Sequence, residues 1–298
     1  MDRTPQRVRR SSEPGRGSLL RRAGRILARL ATRSMPAALI AGAVGVYVGV
    51  ATPQALPGRE QLTREQVIAA LGGSQQGHAD LSGKNLAGLD LSGVDFKGAN
   101  LSAAVLNRSN LQGAQLAGCN LTVSFGEGAD FRRANLRGAE MFSMQLAGAD
   151  LRGADLTGAR FIGDLSHARL DGATLRDLRG GADMRNQSMG LMNARMSAAV
   201  LENADLTGAD LSRADLSFAH LAGAKLGGAK LIRADLSGAD LSGADLSSAD
   251  LSGSTLIDTD FTSATLRGAR FGGSTGRNVK GLADAAARGA ADVPAEVH

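Results

Sequence analysis

Tryptophan is absent from the sequence, tyrosine and cysteine each occur once, and histidine occurs four times. A single cysteine, Cys119, excludes an intramolecular disulfide framework and leaves the redox compartment open. His78, His167, His220 and His298 are scattered, and none stands at metal-ligand spacing to Cys119 or to carboxylates. No nucleophile–base constellation and no phosphate-binding glycine motif occurs. The expectation is a non-enzymatic protein without cofactor or metal. Charge is missing from one stretch altogether, Ser34 to Gly58.

What is present is glycine, 40 residues of it, with abundant leucine and alanine. A glycine-rich chain poor in aromatics often stays disordered. Here the leucines and alanines are strictly placed, so apolar surface is available to offset chain entropy.

The formal charge of +5 is unevenly distributed. Residues 1–33 carry ten arginines against Asp2 and Glu13, whereas the remainder carries 24 basic and 27 acidic residues. The basic character belongs to the tail. The uncharged stretch 34–58, with its apolar heart from Ala37 to Ala51, comes directly after it. It is near the shortest length that spans a bilayer, roughly 17–20 residues. It is read as a signal anchor or as the apolar region of a long signal peptide. Arginine clusters stay cytoplasmic, which places residues 59–298 outside the cytoplasm, or secreted if the segment is cleaved. The tail itself is read as a topology signal in contact with anionic lipid rather than as a nucleic-acid arm.

Residues 59–77 contain a short helical pattern. Thr63 and Gln66 stand at the N-cap and N3 positions of a capping box, Leu62 and Val67 at those of a hydrophobic staple, and Gly72 and Gly73 end the helix. This helix is expected to cap the long repetitive region that begins at residue 78.

From residue 78 to 273 a leucine, or a phenylalanine or methionine in its place, recurs every fifth residue, with a small residue two positions earlier. Five residues at about 100° each scatter those leucines around a helix. In a flat strand successive leucines alternate faces. A chain that bends the same way after every five residues keeps all of them inside. Four such sides close a square coil of about twenty residues, and coils stack at strand spacing, about 4.8 Å. Glycine and serine suit the corners.

The unit A-(D/N)-L-x-x, as in Ala79-Asp80-Leu81-Ser82-Gly83, Ala149-Asp150-Leu151-Arg152-Gly153 and Ala239-Asp240-Leu241-Ser242-Gly243, resembles the pentapeptide-repeat family. The resemblance implies an all-β solenoid, a right-handed quadrilateral β-helix of roughly ten coils. It allows a homodimer through the C-terminal end. Residues 274–298 are expected to cap the last coil with a short helix at 281–292, with Phe261 and Phe271 in the core nearby.

Two stretches depart from the period. At 122–130, Gly126 holds a core position, and a local bulge is expected with Phe125 turned inward. At 162–200, Leu165, Leu170 and Leu175 are shifted by one, and Met184 and Met189 stand in another phase. A loop is expected near Arg176–Gln187. Arg176, Arg179, Met184, Arg185 and Met189 are its candidate interaction residues, since interruptions of a rigid scaffold often carry binding.

The remaining candidates are the aspartates one residue before each leucine: Asp205, Asp210, Asp215, Asp240, Asp245 and Asp250. Some members of the family resemble duplex DNA and protect type II topoisomerases from inhibitors, which requires an acidic rod. Residues 79–273 hold 22 acidic and 19 basic residues, and only 202–260 is clearly acidic, ten against four. An acidic ladder needs aspartate every twenty residues, and Asp210, Lys230 and Asp250 form a broken one. The favoured reading is a membrane-anchored or exported scaffold that binds a protein or cell-envelope partner through its outer faces, with no direct nucleic-acid binding by the coil. The alternative is a DNA mimic that binds a type II topoisomerase and confers resistance to its inhibitors.

Overall fold

The computed structural model describes residues 59–73, 78–181, 193–283, 285 and 289–293, all within the unit Tyr47–His298. The arginine-rich tail and the apolar segment 34–58 lie outside the described residues. Among those described, no helix is long and apolar enough to cross a membrane.

The five-residue period becomes a bend at every unit. In the first, the Leu81 carbonyl accepts the Lys84 N–H at 3.2 Å, and Gly83 between them has φ +65°. A closed four-residue turn with positive φ at its third residue is the pattern of a type II turn. The residue before each leucine pairs in parallel with its counterpart in the next coil, as Asp80 with Asn100, Asn85 with Val105, Asp90 with Asn110 and Asp95 with Gln115. Four ladders therefore run along the solenoid, one per face. We number the faces one to four by Asp80, Asn85, Asp90 and Asp95.

The leucines point inward without exception through the regular coils. Leu236, Leu241, Leu246 and Leu251 take four successive walls of one coil and are all fully buried. Each contributes about 1.5–3 kcal/mol by leaving water. Cys119 occupies one of the small inner positions and is likewise buried. Phe261 and Phe271 meet edge to face at the far end, with ring centroids 5.9 Å apart.

At the near end, helix α1 (Arg64–Gly73) covers the first coil with Val67 and Leu71. Its capping box is formed: the Thr63 N–H donates to Gln66 Oε1 at 2.8 Å, and the Gln66 N–H donates to Thr63 Oγ1 at 3.3 Å. Gln61, just before the helix, already pairs with Asn85 and begins face two. At the other end the expected helix is not what the described residues form. They are turns that bury Leu282 and Ala285 and bring Ala291 into parallel pairing with Arg270. The open edge of the last coil thus gains another rung of backbone bonds, which an alanine-rich helix could not supply.

The two irregular stretches resolve differently. Residues 122–130 keep the regular turn pattern. Phe125 stays on face two, between Val105 and Gln145, and does not turn inward. The space left by Gly126 is filled by Leu146, Phe131 and Met144; the Leu146 Cδ2 would lie only 2.9 Å from an added Cβ.

In the second stretch the step from Gln145 to its partner Asp164 is one residue shorter than a regular coil, and the step from Asp164 to Arg195 is 31 residues. The deletion falls at the corner after face one. There β1 (Glu140–Gln145) and β2 (Arg160–Asp164) pair in parallel with a bulge between Phe142 and Gln145. The chain is pressed so closely that a Cβ on Gly163 would collide with the Met144 carbonyl oxygen. The insertion falls at the same corner one coil on. The Ala194 N–H still donates to the Gly180 carbonyl at 3.3 Å, so the turn bond is kept across the extra residues 182–192.

Two substitutions test this geometry. Val123 adopts φ +60°, which a β-branched residue rarely does. Val123→Gly should raise stability by about 0.5–1 kcal/mol. Gly163→Ala should lower it by about 2–3 kcal/mol. Urea midpoints at unchanged slope would measure both.

Candidate interaction surface

One complete unit shows what the aspartates and asparagines do. In Ala99–Asn100–Leu101–Ser102–Ala103 the Ala99 N–H closes the preceding turn on Phe96, and the Asn100 N–H reaches back one coil to Ala79. The Leu101 and Ala103 N–H groups reach forward to Asn120 and Thr122. Only the Ser102 N–H has no backbone acceptor, and it donates to Asn100 Oδ1 at 3.1 Å. This is an Asx turn. It recurs at Asp80, Asp90, Asp130, Asp150, Asp205, Asp240 and Asp260, among others. The carboxylates that suggested a site are first of all corner braces.

Their charge is shaped by that role. The Ser247 donor to Asp245 holds its carboxyl below the usual range, as the Arg132 fork does for Asp130 and the Arg152 fork for Asp150. Arg132 Nη2 lies 2.6 Å from Asp130 Oδ2, and Arg152 Nη2 lies 2.5 Å from Asp150 Oδ2.

Along the faces, charge of one sign is repeatedly interrupted. Face one runs Asp210, Lys230, Asp250, Arg270, with Lys230 3.8 Å from Asp210 and Arg270 3.7 Å from Asp250. Asp215 lies on face two, Asp240 on face three, and Asp205 and Asp245 on face four with Lys225 between them. The six candidate acids are thus distributed over all four faces and make no single acidic surface.

Arg176 and Arg179 belong to the coil and not to a loop. Arg176 stands at a corner 3.8 Å from Asp205, and Arg179 on face one lies 3.4 Å from Glu140. The eleven extra residues of the sequence follow Gly181. Met184, Arg185 and Met189 lie outside the described residues.

Two outward features escaped sequence reasoning. Arg59 donates to the Ala103 carbonyl and lies over the Phe125 ring, 5.6 Å from its centroid. Arg160 lies 5.3 Å from the Phe142 centroid. Neither pair is visible from spacing, because the partners are brought together only by coil stacking. The Cys119 thiol is pushed up to about 11 by burial, which keeps it protonated. Among the described residues no cluster of His, Cys, Asp and Glu could hold a metal ion.

A stacked, four-faced parallel coil built from A-(D/N)-L-x-x units defines a class of repeat solenoid. The model of the pentapeptide-repeat family matches in eight copies, over residues 77–108, 85–122, 109–143, 143–177, 194–231 and 244–275. The chain belongs to the pentapeptide-repeat family, whose fold is the right-handed β-helix. Similar solved structures include HetL, a pentapeptide-repeat protein involved in heterocyst differentiation regulation in the cyanobacterium Nostoc. It is 27% identical, covering 74% of this chain and 94% of that one at a TM-score of 0.35. QnrB1, a plasmid-mediated fluoroquinolone resistance protein, is 21% identical in a trypsin-treated form, covering 66% and 88% at a TM-score of 0.37. A pentapeptide-repeat protein of the Arabidopsis thaliana thylakoid lumen is 34% identical over 28% of this chain and 56% of its own, at a TM-score of 0.20. No curated protein matches the chain.

The brace predicts a pH profile and a contrast between variants. A carboxyl whose folded pKa is lowered stabilises the fold above its unfolded value, near 4, and that contribution is lost as pH falls through the folded value. Stability should hold from about pH 7 to 5 and decline below about pH 4. Asp245→Asn keeps the acceptor and should cost little, whereas Asp245→Ala should cost about 0.5–1 kcal/mol. Urea titrations across that pH range would show both effects.

Proposed function

We propose that the protein is a membrane-anchored or exported pentapeptide-repeat scaffold that binds a protein or cell-envelope partner through its outer faces and carries out no catalysis itself. The observation that carries this reading is in the sequence: ten arginines in residues 1–33 run directly into the uncharged segment 34–58, immediately before the coil. Arginine retained on the cytoplasmic side puts the coil on the other.

The DNA-mimic alternative needs a continuous acidic face. Lys230, Arg270, Lys225 and Lys280 interrupt the acidic columns of the distal coils on three of the four faces. The alternative is therefore the weaker reading.

Protease added to intact spheroplasts should digest the coil of the full-length chain while cytoplasmic controls survive. A coil that remains protected until the membrane is permeabilised overturns the reading. Relief of gyrase inhibition by the purified protein would favour the alternative instead.

A further inference from the structure

The sequence has eight phenylalanines, and five of them, Phe96, Phe131, Phe161, Phe261 and Phe271, are in the core. Three face outward. Two of those, Phe125 and Phe142, carry a guanidinium of this chain over the ring, Arg59 and Arg160. The third, Phe218, is 65% exposed, and among the described residues no cation lies over it.

Phe218 is also out of place by local chemistry. It holds the third position of its turn at φ +57°, where other corners mostly carry glycine or a small or polar residue. Its ring reaches along the solenoid to Gly238 of the next coil, so that a Cβ there would come within 2.6 Å of the ring. The backbone is in a region that aromatic residues rarely adopt, and the ring gains little burial in exchange. Gly238 leaves room for the ring, most of which stays exposed.

The surroundings are mixed in charge, with acids in the majority. Phe218 stands at the corner between faces two and three. On face two Asp215 and Asp235 follow Arg195, which pairs with Asp164 at 3.2 Å, and on face three Asp240 follows His220. None of Asp215, Asp235 and Asp240 forms an ion pair with a cation among the described residues, unlike Asp210, Asp250 and Asp260. An open π face beside unneutralised carboxylates complements a guanidinium, which stacks on the ring and is attracted by the acids.

We infer that the Phe218 corner, with Asp215, Asp235 and Asp240, is a docking point for an arginine-bearing segment of a protein partner, completing between molecules the pairing that Arg59–Phe125 and Arg160–Phe142 make within this one. The inference rests on the scaffold reading and names the chemistry of its partner. A peptide assay on purified protein does not depend on where the coil resides, so a failed topology and a failed docking point are separate results.

The test is fluorescence anisotropy of a labelled Gly-Arg-Gly-Arg-Gly-Arg-Gly peptide against the full-length protein in neutral detergent at low salt. Phe218→Tyr should bind like the parent. Phe218→Leu, apolar but without a π face, should bind about fivefold more weakly, and Phe218→Gly about tenfold or more. Phe218→Gly relieves the backbone and should raise the unfolding midpoint, so its lost binding is not lost folding. Equal affinity in Phe218→Gly or Phe218→Leu, or no binding by the parent, overturns the proposal. So does self-association of the parent that Phe218→Gly abolishes, since the occupant would then be a second copy of this chain.

Discussion

The hydrogen bond from the N–H after a core leucine to the side-chain oxygen of an aspartate or asparagine just before it is the interaction that recurs at most of the coil's corners, although units headed by residues such as Val105, Lys225 and Lys230 close without it. Four of the five N–H groups in a unit are claimed by the turn and by the neighbouring coils, as Ala99–Ala103 illustrates. The fifth points into the corner, where no carbonyl can reach it. A buried or half-buried donor left without a partner is costly. An asparagine or aspartate one residue before the leucine supplies the acceptor from within the same unit, at 3.1 Å from Asn100. The row of acids that looks like a reactive surface is a consequence of backbone geometry, and its negative charge has to be managed along the ladder by Lys230, Arg270 and their like.

The corner imposes a second constraint. Its third residue is driven to positive φ, so glycine is the cheapest occupant. Where another residue stands there, its side chain runs along the solenoid onto the next corner. Arg233 lies over Gly253 and Asn203 over Gly223, just as Phe218 lies over Gly238. The two residues are coupled across a coil, although twenty positions separate them.

The interior tolerates little variation, while the corners absorb length. A residue is lost at β2 and eleven are added after Gly181, yet the four ladders continue in register on either side. Both changes fall at the corner after face one, because a bend changes length without moving a core leucine. Gly163 makes the shortened corner passable, and the Gly180–Ala194 bond closes the lengthened one.

Most of the fold was legible in the chain. The period of five, the small residue two before each leucine, the capping box at Thr63 and Gln66, and the core role of Cys119 all depend on contacts within a unit or on simple repetition. Three details were misread, the first being the helix expected at 281–292, where the described residues form turns and a further rung at Ala291. Phe125 was expected to turn inward, yet side chains from other units, Leu146, Phe131 and Met144, fill the space beside Gly126. Arg176 and Arg179 were expected in a loop, yet the shifted leucines still close a coil one residue short. The sequence by itself determined the repeating bend, the inward leucines and the corner braces, because each is settled over five residues of local sterics and hydrogen bonding. Only the tertiary structure decided which aspartates meet a lysine or arginine, which rings receive a guanidinium and which ring stays open. Those pairings join residues a full coil apart or more, and coil length varies at the corners where the chain bends.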